Sequence, residues 1–275
     1  MDEPIKSPIE DYYDSDYPAL PPDDMPEAYG LVDPALLHDV DRYRELARAC
    51  GGPVLEVFAG NGRAAIPIAR DGSEVTAVDL SPEMLRQFRE RLGHEPPDVR
   101  ARVRLLEADA RSVDAGGGFR FAFIAFNSLS LVDDLDGQRQ VLRRISDHLQ
   151  PGGVLAIDAL NAMLFGGLYK DEGPRMQLTR RHHRTGRVYS RWGATSAFDE
   201  RQRQRVYGWY DEVDEQGVVR RRFYSFHWRL FFRSEAELML AAAGLRVVSV
   251  EGGPRREPFF SLSRRMFIVA EKVGS

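Results

Sequence analysis

The sequence predicts an α/β chain: a doubly wound, mostly parallel seven-stranded sheet with helices on both faces, carrying an antiparallel β insertion after its fifth strand. Three observations predict it. Apolar runs of strand length alternate with amphipathic helical segments across short connections up to residue 160. A glycine turn, Gly60-Asn61-Gly62, joins the first run to a helix. From 175 to 231 the pattern changes to polar–apolar alternation with turn signals.

Taken in order, residues 1–30 stand apart, rich in Asp, Glu, Pro and Tyr, with one lysine against nine acids. That composition fits a disordered acidic tail. Tyr12, Tyr13, Tyr17 and Tyr29 fit instead a segment that folds over a cleft as a lid, and both readings stay open for 1–33. From about 34 to 49, Leu36, Leu37, Val40, Tyr43 and Leu46 recur at helical steps, and Gly51-Gly52-Pro53 stops the helix. Val54–Phe58 reads as the first strand, followed by a helix through Ala69. Val75–Asp79 is the second strand. Ser81-Pro82 opens a helix, the serine as N-cap and the proline where its missing N–H costs nothing. Val103–Glu107 and Phe121–Phe126 are the third and fourth strands, the latter apolar throughout, as a strand buried on both faces is. A helix covers about 134–149, and Pro151-Gly152-Gly153 turns the chain into Val154–Asp158. The insertion holds two to four antiparallel strands, with a turn at Asp214-Glu215-Gln216-Gly217. Ser234-Glu235-Ala236-Glu237 reads as a capping box for a helix that Gly244 ends, and Leu245–Val250 and Met266–Ala270 close the sheet. The expected divisions are 1–33, 34–160 (core), 161–232 (insertion, acceptor-side cap) and 233–275 (completion of the core).

Composition narrows the function classes. A net charge of −4 with 29% charged residues gives no general reason to expect nucleic-acid binding. Cys50 is the only cysteine, so no internal disulfide forms. No apolar run reaches membrane-spanning length and the N-terminus has no secretory pattern, so a cytoplasmic protein without membrane partners is expected. No Cys/His cluster has ligand spacing, and no metal is expected.

The chemistry turns on Val54-Leu55-Glu56-Val57-Phe58-Ala59-Gly60-Asn61-Gly62-Arg63. A strand running into a glycine turn and a helix lets a ligand approach the backbone at the carboxyl edge of a doubly wound sheet. Asp79 ends the next strand, where a carboxylate can accept hydrogen bonds from ribose hydroxyls. Asp109 ends the third and can accept from an adenine amino group. Either acid alone is equally well a turn former or N-cap; together, at successive strand ends beside a glycine turn, they point to an adenosine-bearing ligand. Gly60-x-Gly62-x-x-Ala65 with Asp79 also satisfies the dinucleotide fingerprint, so a nicotinamide enzyme is the rival. Glu56 opposes it, because its charge would repel a pyrophosphate.

Glu56…Gly60-x-Gly62, Asp79-Leu80-Ser81-Pro82-Glu83-Met84, Asp109 and Leu149-Gln150-Pro151-Gly152-Gly153 resemble, in that order, the Rossmann-like class I S-adenosylmethionine (SAM)-dependent methyltransferases. The resemblance covers 34–160. A looser one over 198–273 is to bacterial small-molecule enzymes that include amino-sugar and amino-acid N-methyltransferases. It implies SAM as cofactor. Val57, Phe58, Gly60 and Gly62 would pass its methionine portion, and Glu56 would order the loop or a water near the methionyl amino group. Asp79 would hold the ribose, Leu80 and Met84 would lie near the adenine, and Asp109 and Ala110 would meet its edge. Phe126 would line the same site. Phe58 departs from the family, which usually has glycine there.

Methyl transfer from a sulfonium is mainly alignment, with a base where the acceptor must lose a proton. Asn127, at the fourth strand end, would face the transferable methyl, and Phe126-Asn127-Ser128-Leu129 is not the motif of base-amino methylation in nucleic acids. The expected acceptor is a small molecule, methylated on N, O or C in a secondary-metabolic setting. Asn127, His227 and Tyr207 are the candidate catalytic residues; Tyr13, Tyr17, Asn161, Arg191, Trp209 and Arg229 are the candidate acceptor contacts. His182 and His183 are further candidate bases, and the insertion's arginines suit an anionic acceptor or a solvated strand face alike. An RNA methyltransferase and a SAM-utilising enzyme that releases methylthioadenosine stand as alternatives. The oligomeric state is left open, a homodimer being one option.

Overall fold

A computed structural model describes residues 7–16, 39–165 and 173–274. The chain divides into two compact units: one takes residues 38–165 and 230–275, the other 1–37 and 166–229.

The larger unit is the doubly wound sheet. Its strands are β1 (Val54–Val57), β2 (Val75–Asp79), β3 (Val103–Glu107), β4 (Phe119–Ile124), β5 (Leu149–Leu160), and two that follow the insertion, Leu245–Glu251 and Arg265–Lys272. From one edge the spatial order is the 245–251 strand, the 265–272 strand, then β5, β4, β1, β2 and β3. The pairs from β5 to β3 are parallel, and the 265–272 strand runs antiparallel to both its neighbours. Period-two alternation makes two cores from one sheet. Leu55, Val57, Ala122 and Ile124 enter one, with Val141, Leu142 and Ile145; Val54, Phe121 and Phe123 enter the other, with Tyr43, Ile68 and Phe88. The strand order reverses between β1 and β4, which opens a crevice at their carboxyl ends.

The helices follow the sequence with local corrections. In chain order they are α1 (Ser7–Asp16), α2 (Asp39–Cys50), α3 (Ala65–Arg70), α4 (Pro82–Gly93), α5 (Pro97–Ala101), α6 (Leu135–His148), α7 (Ala162–Phe165) and α8 (Arg233–Ala242). Ser81 caps α4, its Oγ accepting from Met84 N at 3.2 Å, and Asp134 caps α6 through Gly137 N at 2.7 Å. The expected capping box at Ser234 does not form. Helix α8 starts two residues earlier, after Phe232, so Ser234 lies inside the first turn and Glu237 pairs with Arg233 at 2.8 Å. Residues 34–38 of the expected second helix lie outside the described residues. Strands β1 and β4 stop short of Phe58 and Phe126 because both residues have positive φ, +62° and +55°, which no strand can continue.

The smaller unit is a four-stranded antiparallel sheet: β6 (Arg175–Arg181), β7 (Val188–Thr195), β8 (Arg203–Val213) and β9 (Val219–Arg229), in that order. Helix α1 packs on one face, so residues 7–16 are not a disordered tail. Sequence periodicity misses this helix because its anchor is polar. Asp16 is fully buried and accepts from Tyr189 Oη at 2.6 Å, Tyr210 Oη at 2.7 Å and Arg191 Nη1 at 3.0 Å. The Tyr12 ring stacks on Tyr210 with centroids 4.2 Å apart. Asp16→Ala would leave the Arg191 charge buried without its counterion, at a cost of about 3–5 kcal/mol. Fast amide exchange across 7–16 and a lower melting temperature are expected; unchanged protection of α1 would show that the clamp does not hold it.

The numbering continues with β10 for Leu245–Glu251 and β11 for Arg265–Lys272. Among the described residues no helix is long and apolar enough to cross a membrane.

Candidate active site

The glycine turn is built by packing as well as by conformation. Gly60 and Gly62 have φ of +56° and +80°. A Cβ on Gly62 would lie 2.3 Å from Phe88 Cε2, a ring locked in the core under α4. A Cβ on Gly60 would lie 3.1 Å from Met84 Cε, the end of a flexible chain. Gly62→Ala is therefore expected to cost roughly 2–4 kcal/mol, from overpacking plus a left-handed φ. Gly60→Ala should cost less, because the Met84 methyl can yield. Thermal unfolding of the two variants checks the order; equal losses would refute the Phe88 argument.

Asp79 fastens the turn. Its Oδ2 accepts from Gly60 N at 2.7 Å and its Oδ1 from Ser81 N at 2.8 Å. Leu80, beside it, is 62% exposed, while Met84 and Ala110 are buried. Asp109 is gripped by Arg111, which donates from its backbone N, Nε and Nη2. That guanidinium holds the Asp109 carboxyl below the usual range. Its carboxylate is thus oriented by a partner the sequence reading did not assign.

Val57 is fully buried beneath the turn, and Phe58 is half-buried against the same core. Phe58 keeps the left-handed backbone that glycine adopts without cost. The departure in sequence therefore leaves the loop conformation in place, and what it adds is a ring. Glu56 is 2% exposed; Ala65 N–H bonds its carboxyl, and Oε2 has no hydrogen-bond partner. Burial pushes its pKa well above the ordinary carboxylate range; Arg63 opposes this and Asp79 adds to it.

At the end of β4, Phe126 and Asn127 are consecutive left-handed residues. Asn127 Oδ1 accepts from Ser130 Oγ and from Leu160 N, both at 3.0 Å, and its backbone N donates to Asp158 O at 2.7 Å. Two buried ion pairs flank this turn. Arg63 donates to both oxygens of Asp39, and Arg265 Nε donates to Asp158 Oδ1 at 2.8 Å. The Arg63 and Arg265 guanidinium carbons lie 5.5 and 5.6 Å from the Phe126 ring centroid. Sequence reasoning missed Asp39, Arg63 and Arg265. Arg63 follows the glycine turn directly, which was a usable signal; the other two are brought in only by tertiary packing.

The structure thus gathers Glu56, Val57, Phe58, Gly60, Gly62, Asp79, Asp109, Phe126 and Asn127 at the carboxyl ends of four adjacent strands. The proposed acceptor contacts divide. Asn161 is committed elsewhere: its Nδ2 donates to Ser261 O and Ser263 O at 3.0 and 2.8 Å, and its Oδ1 accepts from Met163 N. With both amide ends engaged, it staples the chain after β5 to the loop before β11. Arg191 pairs with Asp16 on the α1 face of the smaller sheet. Tyr207, Trp209, His227 and Arg229 share the opposite face by strand register. Arg229 is buried there and donates to Gln202 Oε1 at 3.1 Å; Trp209 Nε1 donates to Asp211. Tyr13 is half-buried on α1, and Tyr17 lies outside the described residues. His182 Nδ1 accepts from Arg184 N, burial lowers its basicity, and His183 bonds Ser15 Oγ, so both histidines serve the packing around α1.

Comparison with known proteins agrees with this geometry. The methyltransferase-domain family matches residues 54–153. The cypemycin N-terminal methyltransferase of a Streptomyces species is 27% identical over 255 residues, spanning 90% of this chain and 95% of that protein. The dTDP-3-amino-3,4,6-trideoxy-alpha-D-glucopyranose N,N-dimethyltransferase of Streptomyces venezuelae is 26% identical over 208 residues, 75% of this chain and 81% of that one. The CcbJ methyltransferase structure from Streptomyces caelestis matches with a TM-score of 0.71 at 25% identity, over 96% of this chain and 98% of that one. The nicotinamide alternative gives way here. Likeness that runs through the insertion as well as the core makes the chain a class I SAM-dependent methyltransferase, with SAM as its cofactor.

Proposed function

We propose that the enzyme methylates a nitrogen, an amine on a small secondary metabolite such as an amino sugar or a peptide N-terminus. One observation carries the reading. Both relatives described above, whose likeness extends beyond the SAM-binding core, are by name N-methyltransferases. The chemistry of the site is compatible with it. SAM supplies an activated methyl on a sulfonium, and a neutral amine attacks it without prior deprotonation. The residues then have to align and desolvate. Asp79 and the glycine turn hold the adenosyl portion. Asn127 has its Oδ1 engaged by Ser130 and Leu160, so its Nδ2 hydrogens are the ones that orient a ligand. Within the smaller unit, Tyr207, Trp209 and His227, on one face of its sheet, are the residues proposed for acceptor recognition.

The test is transfer from SAM to matched pairs of acceptors that differ only in amine versus hydroxyl, on a sugar and on a dipeptide. Methylated amine with stoichiometric S-adenosylhomocysteine is expected. Transfer to the hydroxyl partner, or release of methylthioadenosine, would overturn the reading.

A further inference from the structure

We propose that Glu56 meets the methionyl ammonium of SAM as a neutral acid that ionises on contact, so that cofactor binding releases a proton. This rests on the SAM site argued above and adds to it a protonation state. Glu56 is the third residue of β1, and its strand neighbours in register, Ala77 on β2 and Phe123 on β4, are apolar. Its carboxyl receives one N–H, from Ala65, and its Oε2 is buried with no partner. Buried polar atoms are nearly always hydrogen-bonded, so a single orphan oxygen at a ligand edge marks where a donor is to arrive.

The charges around Glu56 do not supply that donor. Arg63, in the turn before α3, is a cation that acts strongly on it, and its two Nη atoms are already held by the two oxygens of Asp39 on α2. The remaining charged neighbours are Asp79 on β2 and Asp39, both of like sign. Burial beside two carboxylates favours the neutral acid, and burial is the largest influence on it. An arriving primary ammonium changes the balance. The ammonium keeps its three protons, the Glu56 O–H bond breaks, the carboxylate accepts an N–H, and the proton leaves to solvent.

The pH dependence has a definite sign. In the free protein Glu56 holds its proton to a higher pH than an ordinary carboxyl; in the complex it does not. Affinity therefore rises with pH until the free protein's Glu56 ionises, and levels off above that. Near about pH 7.7–8.0 the ligand's own α-amino group begins to lose its proton.

The experiment is calorimetric titration of the full chain with S-adenosylhomocysteine between about pH 5 and 6.5, in acetate and in MES, whose ionisation enthalpies differ. Apparent heats that depend on the buffer, corresponding to up to one proton released per ligand, are expected. Methylthioadenosine, which has no ammonium, should release none. Glu56→Gln keeps an acceptor for Ala65 N–H and cannot ionise. It should bind S-adenosylhomocysteine about 10- to 100-fold more weakly, as for loss of one charge-assisted hydrogen bond, without proton release and with methylthioadenosine affinity unchanged. Buffer-independent heats across the whole range, or proton release persisting in Glu56→Gln, would overturn the inference while leaving the SAM site standing. Failure of S-adenosylhomocysteine to bind at all would overturn both.

Discussion

Asp79→Ala is expected to lower SAM affinity about 100-fold or more, with a smaller loss of fold stability. The two effects come from different lone pairs of one carboxylate. Two are used internally, by Gly60 N and Ser81 N, and hold the glycine turn against the start of α4. The proposed ribose hydrogen bonds would draw on the same carboxylate. Losing a pair of hydroxyl-to-carboxylate hydrogen bonds, each worth about 1.5–3 kcal/mol where a charge is involved, amounts to two or more powers of ten in Kd. Asp79→Asn separates the contributions, since its Oδ1 can still accept one backbone N–H while the charge is gone. Calorimetry with SAM and thermal melting of the free protein read the two effects independently. A SAM affinity within threefold of the parent for Asp79→Ala would remove the ribose assignment.

The second large effect is expected at the opposite side of the crevice. Arg265 and Asp158 are 4% and 1% exposed, with Arg265 Nη2 2.7 Å from Asp158 Oδ2. Arg265→Met leaves a buried carboxyl without its cation, at a cost of about 3–5 kcal/mol. Asp158 already has its pKa raised above the ordinary value, burial outweighing the pull of Arg265. A carboxyl held higher in the folded than in the unfolded state contributes most stability below the unfolded value of about 3.9. That contribution is lost as pH rises through the folded value. Removing Arg265 raises the folded value further, so the variant's deficit should grow as pH rises above the parent's own raised folded value. Denaturant unfolding at pH 5 and pH 8 measures it. Asp158→Leu combined with Arg265→Met removes both charges and should recover most of the loss. A double variant no more stable than Arg265→Met would show that packing, not charge burial, sets the cost. Because Asn127 N bonds Asp158 O and the Arg265 guanidinium faces the Phe126 ring, the same variant also tests how firmly the turn after β4 is held.

What the sequence determined by itself is the order and type of the elements in the core and the outline of the cofactor edge. Those follow from local chemistry. Period-two and period-3.6 burial, the Ser81-Pro82 cap and the glycines of the first turn are readable within a few residues. Asp79 and Asp109 could be singled out as candidates because strand ends in a doubly wound sheet are where ligands bind. The positive φ of Phe58 and Phe126 was not legible, since nothing local favours a bulky residue in that conformation and only the surrounding packing imposes it. The helix at 7–16 was hidden for a related reason. It is anchored by Asp16, and a buried acid becomes legible only when Tyr189, Tyr210 and Arg191, more than 170 residues away, are brought around it. Tertiary structure also decided that Asn161 and Arg191 are committed to the fold, and that Asp39–Arg63 and Asp158–Arg265 are pairs. Isolated charges in a sequence read as surface; it takes folding to bury them, and burial is tolerated only because each finds its counterion there.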